Sequence, residues 1–161
     1  RTWTYDDTRR NTRITARRRN GTIILEGLHQ GDRINRKFDI GNGFWNQLFH
    51  IGLEKFAAGG DQAVFFHAIG TSGIGDMKIA RFRATREGYK VINLNSEPRD
   101  AIHITISLSG IRSVLWTGHY WFQKDSGLFL RYLNRPDNPA RGNRMVLVNR
   151  TIPRDGKAEE N

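Results

Sequence analysis

The chain has 161 residues, with 26 Lys and Arg against 16 Asp and Glu, a formal net charge of +10 and an isoelectric point near 10.6. It contains no cysteine, which excludes disulfide scaffolds, cysteine-ligated zinc sites and thiol nucleophiles. The length suits one domain with a real core, and twenty of the 26 cations are arginine, which forks onto phosphate and stacks on bases where lysine offers only a point charge.

In chain order, residues 1–10 start with a short apolar-aromatic stretch, Trp3 to Tyr5, and end in charge. Thr12–Arg19 and Thr22–His29 flank Asn20-Gly21, the strongest short hairpin signal. Gln30-Gly31-Asp32 is a second turn, and Arg33–Ile40 alternates, with Arg33, Asn35, Lys37 and Asp39 on one face. Gly41-Asn42-Gly43 breaks this meander. Phe44–Ala58 carries Trp45, Leu48, Phe49, Gly52 and Phe56 at helical spacing and stops at Gly59-Gly60.

A second strand series follows. Ala63–Ile69 is densely apolar, Gly70 to Gly75 is a flexible turn, and Lys78–Arg86 alternates. Glu87-Gly88 is expected to turn, Tyr89–Asn95 to return, Glu97 to Asp100 to turn again, and Ala101–Leu108 to put four apolar residues on one face. Ser109-Gly110 is expected to cap a last helix of about 14–22 residues, beginning at Ile111 and ending between Lys124 and Tyr132. Residues 134–161 hold every proline except Pro98, and only Met145–Val148 looks ordered there. The expected organisation is a nucleic-acid-binding domain over residues 1–133 and a C-terminal extension over 134–161. The expected fold class is α+β: two four-stranded antiparallel sheets, each followed by a helix.

Alternation predicts one polar side to each sheet. In the first series it presents Arg13, Thr15, Arg17, Arg19, Arg33, Asn35 and Lys37, with Asp39 as the one acid. In the second it presents Arg81, Arg83 and Thr85, then Asn93 and Asn95, then His103, Thr105 and Ser107, with Phe82 facing the core. Such a surface neutralises a run of phosphates, with affinity falling steeply as salt rises. The expected RNA-binding residues are Arg13, Arg17, Arg19, Arg33, Lys37, Arg81, Arg83, Asn93 and His103. Phe65 and Phe66 are adjacent and must face opposite ways, so the stacking signal is weak and backbone contact by arginine is the better expectation. Aromatics crowd both expected helices, more widely around the second than one covered face needs, which suggests an oligomer with helices inside and sheets outside.

Catalysis has little support. No two of the five histidines have metal-ligand spacing, so neither a metal nor a cofactor is expected. Gly70, Gly73 and Gly75 lack a following Gly-Lys-Ser/Thr and precede a strand, which fails as a phosphate loop. Glu26 and Glu54 have no paired acid in view.

The segment ITARRRNGTIILEGLHQGDRINRKFDI over Ile14–Ile40, and Phe65-Phe66-His67 within GGDQAVFFH, resemble the Whirly family of single-strand binders. Abundant arginine resembles its kinetoplastid branch, the mitochondrial guide-RNA-binding proteins. The family's Lys-Gly-Lys-Ala-Ala-Leu motif is absent here. The resemblance implies a helix-cored tetramer, either of one chain or shared with a paralogous subunit. It also implies residence in the mitochondrial matrix after loss of a targeting peptide, and RNA annealing with bases left free to pair. The alternatives are a Whirly-type single-stranded DNA binder acting in transcription or genome maintenance, and a structural subunit of a ribonucleoprotein whose basic face meets an acidic protein.

Overall fold

The computed structural model describes residues 1–72, 76–110, 116–134 and 144–146. The first four strands are β1 (Thr2–Asp7), β2 (Thr12–Arg19), β3 (Thr22–His29) and β4 (Asp32–Asp39), and they form one antiparallel sheet in sequence order. Two tight turns set its register. Asn20-Gly21 (φ 44° and 80°) and Gln30-Gly31 (φ 54° and 91°) both take positive φ at two central residues, the geometry that matches strand twist in a two-residue hairpin. Register then fixes the faces. Ile14, Ala16, Ile23 and Leu25 are buried on the inner face, while Arg13, Arg17 and Arg19 stand exposed on the outer.

The chain then crosses to a second antiparallel sheet through α1 (Phe49–Gly52) and α2 (Glu54–Ala58). The remaining strands are β5 (Ala63–Ser72), β6 (Asp76–Leu94), β7 (Glu97–Leu108), β8 (Thr117–Gln123), β9 (Phe129–Leu133) and β10 (Arg144–Val146), in spatial order β10-β9-β8-β7-β6-β5. Helices cover one face of this sheet, here the helix face. Leu53 and Ala57 bury there against Phe66, Ala84, Ile102, Ile104, Ile106, Tyr120 and Phe122. Each large apolar side chain buried in this way contributes roughly 1.5–3 kcal/mol. Arg86 ties the helices down by donating to the carbonyls of Phe56 (2.8 Å), Ala57 (3.1 Å), Gly59 (2.6 Å) and Asp61 (3.2 Å), which satisfies acceptors that a helix end leaves free.

Several expectations need correction. The first expected helix, Phe44–Ala58, is helical only from Phe49, in two short pieces. Residues 44–47 run extended along the edge of β5. His67 N–H donates to Phe44 O (2.7 Å), Asn46 N–H to His67 O (3.0 Å), and Gln47 brackets the Ile69 backbone at 2.9 and 2.7 Å. Ordering these residues along β5 covers an open sheet edge, which outweighs their helical spacing. The second expected helix overlaps β8 and β9, with residues 111–115 outside the described residues. Trp, Tyr and Phe favour strands, and β8 is buried on both sides: Tyr120 and Phe122 on the helix face, Trp121 on the other. Burial on two sides within one chain explains the aromatics without an oligomer. The fold is therefore mostly β, with sheets of four and six strands, and among the described residues no helix follows the second series that could core a tetramer. Of the expected C-terminal extension, only β10 is described beyond residue 134, and it joins the second sheet beside β9.

Glu87-Gly88 is no turn. β6 runs straight through it to Leu94, and the real turn is Asn95-Ser96, both at positive φ. A bulge at Arg86–Gly88 shifts the pairing with β7 by one residue. Every later side chain of β6 therefore changes face. Ile92 and Leu94 point to the sheet's open side, where they bury with Ala101, Trp121, Leu130 and Leu133. The first sheet's inner face packs over the other end of that same side, on Ile69, Met77 and Ile79, with Trp45 wedged between. The open face of the second sheet thus carries an apolar cluster at each end and a polar stretch between.

Candidate nucleic-acid interface

The polar stretch is built by strand register. Phe65 lies opposite Arg83 and His67 opposite Arg81 across β5 and β6; Arg83 pairs with Ser107 and Thr85 with Thr105 on β7; Thr105 pairs with His119 on β8. Phe65 is 45 % exposed, and the guanidinium carbons of Arg81 and Arg83 lie 4.5 and 5.9 Å from its ring centroid. A half-exposed ring with two guanidinium groups close to it on an open sheet is a surface on which a base can stack while the cations meet phosphate.

Beside it runs a second set of stacked rings. His103 stacks on Trp121 (4.8 Å, 10°) and on His119 (5.3 Å, 17°), which lie 6.3 Å from each other, and Arg131 lies over the Trp121 ring at 4.4 Å. His103 Nε2 is 3.1 Å from His119 Nδ1. Burial, then the neighbouring His119, Lys90 and Arg131, push the His103 pKa down to about 4, with Glu87 opposing them. The imidazole is therefore neutral at pH 7 and shares a hydrogen bond with its partner. Glu87 accepts from Thr105 Oγ1 at 2.6 Å. His67 is also lowered, by burial first, against a raising hydrogen bond with the Phe44 backbone, and then by Arg81 and Arg18. Arg18 comes from the first sheet, so cations of both sheets converge on His67.

The expected site residues divide into three groups. Arg81 and Arg83 stand exposed together on the open face. Arg13, Arg17, Arg19, Arg33 and Lys37 share the outer face of the first sheet, all exposed, as the alternation predicts. That face is less one-signed than expected, because register adds Asp6 and Glu26 to Asp39, and Arg13 is bound to Asp6 at 2.8 Å. Asn93 and His103 do not join Arg81 as exposed donors. The bulge turns Asn93 to the opposite face, and His103 is on the correct face but only 8 % exposed, inside its stack. Phe65, Lys90, His119, Trp121 and Arg131 are the residues that sequence reasoning misses. The alternation of Thr117, His119 and Trp121 against Gly118, Tyr120 and Phe122 is the available signal for three members of this surface and its stack.

Protein-family models, curated proteins and solved structures all give no match, and none of these comparisons identifies the family that the two sequence segments resemble. Among the described residues no group of three or more His, Asp or Glu is placed to hold a metal ion, and no helix is long and apolar enough to cross a membrane.

Proposed function

We propose that the chain binds single-stranded nucleic acid on the open face of its second sheet, with RNA the first ligand to test. The observation that carries this is Phe65, an exposed ring flanked by Arg81 and Arg83 on an uncovered sheet face. Bases stack on the ring, the arginines meet the adjacent phosphates, and the half-exposed hydroxyl of Ser107 adds a donor that suits any sequence. The net charge of +10 supplies long-range attraction, and the outer face of the first sheet extends it through Arg17, Arg19, Arg33 and Lys37. Annealing of mitochondrial guide RNA, which the family resemblance implies, is one setting for such binding; the helix-cored assembly is not part of it.

The test is a salt series with a labelled single-stranded RNA and the same-sequence DNA. Phe65→Ala should weaken binding by about 1–3 kcal/mol, the worth of one stacked base. Arg81→Glu with Arg83→Glu should flatten the salt slope by about one for each phosphate left without its cation. Wild-type affinity in both variants would rule out the open face as the binding surface. No binding of either nucleic acid at low salt would favour an acidic protein partner. Equal binding to both would make RNA no more than one of two ligands.

A further inference from the structure

We propose that the cavity between the two sheets beside His29 binds a small organic anion with a compact apolar body, of the aromatic carboxylate class. The cavity measures about 300 Å³, at the lower end of small-molecule sites. It opens where β1 and β2, the end of β3, and Ile69, Gly70 and Met77 of the paired strands β5 and β6 meet, and none of Phe65, Arg81 and Arg83 lines it.

Its walls separate by chemistry. Trp3, Ile14, Ile69 and Met77 form an apolar lining, and Trp3 is held in place by stacking on Tyr5 at 5.9 Å. The polar side chains are Tyr5, Thr12, Gln30, His29 and Arg10, and the last two bear on an anion. His29 is 8 % exposed, and neither ring nitrogen has a hydrogen-bond partner among the described residues. A buried polar group left in this state costs about 1–3 kcal/mol, and a neutral imidazole offers both a donor and an acceptor. The neighbouring Thr12 hydroxyl does not fill the need: it donates to Arg10 O (3.1 Å) and accepts from Gln30 N–H (3.0 Å). Arg10 supplies the charge from the rim. Its side chain is 75 % exposed and held only loosely, 3.7 Å from Asp7. An apolar body against the indole and the aliphatic side chains leaves a carboxylate to accept from the imidazole N–H and to meet the guanidinium, the charge-assisted pairing that is the stronger kind. An uncharged apolar ligand would leave His29 unpartnered.

The probe is 1-naphthoate, titrated calorimetrically into the full chain, with 1-naphthylmethanol as the uncharged analogue of the same body. Naphthoate should bind saturably with Kd below about 1 mM, and the alcohol at least about tenfold more weakly. His29→Leu should weaken naphthoate at least about fivefold without lowering the melting temperature, because the leucine leaves no unsatisfied ring. Should that variant fail to fold, Arg10→Ala at the exposed rim carries the test: it should weaken naphthoate and leave the alcohol unchanged. No saturation by about 10 mM naphthoate, equal affinity for acid and alcohol, or wild-type affinity in the folded variants would each overturn the proposal.

Discussion

Acidification should destabilise this fold through His103, by an amount that can be worked from its surroundings. The ring is buried against both Trp121 and His119, with Lys90 and Arg131 adding positive charge and Glu87 already engaged by Thr105. Its pKa is about 4 in the folded chain against 6.5 for the ordinary group. Between those values the unfolded chain binds the proton and the folded chain resists it, so stability falls as pH falls from 6.5 towards 4. Each pH unit in that window is worth about 1.4 kcal/mol at most. By a pH of about 4.5 the loss from this ring is about 2 kcal/mol, reduced from the full product because part of the ring retains contact with solvent. The perturbation that isolates it is His103→Gln, which keeps a polar group toward His119 and cannot titrate. Urea unfolding of both proteins at about pH 7, 6, 5 and 4.5 gives the slopes. Wild type should lose about 2 kcal/mol more than the variant over that range. Parallel curves would mean that the stacked pair takes up its proton without penalty, and that burial does not hold the ring neutral.

Two further outcomes follow from backbone contacts. Arg86→Ala should cost about 2–4 kcal/mol in thermal or urea unfolding, because four carbonyls at the end of α2 lose a charged donor at once; Arg86→Lys should recover only part of it, since an ammonium cannot reproduce the fork. Gly27→Ala should lower the melting temperature by several degrees at about 2 kcal/mol or more, for Gly27 sits at φ 139° and an added Cβ would run into the Arg13 carbonyl across the β2–β3 pair.

The first sheet is almost fully legible in the sequence, because its determinants are local. Asn20-Gly21 and Gln30-Gly31 fix two registers, and strict alternation then decides which of Arg13 or Ile14 faces out. What sequence reasoning misses is non-local. Phe44–Leu48 has helical spacing, but the unpaired edge of β5 is visible only once the second sheet exists. The aromatics from Trp116 to Phe122 read as a helix because they are apolar on both sides, and a strand buried on both faces has no periodicity to separate it from a helix. The candidate site shares this fate. Arg81 and Arg83 follow from alternation and need no tertiary knowledge. Asn93 is displaced to the other face by one unpaired residue at the bulge, and the stacking residues His119, Trp121 and Arg131 are hidden by the helical reading of their segment.

The bulge at Arg86–Gly88 also limits how this chain can change in length. On one side of it β6 serves the core under the helices; on the other it serves the cluster around Trp121. A one-residue deletion there would not merely shorten a strand. It would exchange Ile92 and Leu94 for Val91 and Asn93 in the buried positions, emptying one cluster and exposing its members. The turn at Asn95-Ser96 carries no such constraint, because residues added at a hairpin tip leave both registers intact. Among descendants of this sequence, length variation should therefore gather at residues 95–96 and be absent from 86–94, a pattern set by strand parity alone and independent of what the open face binds.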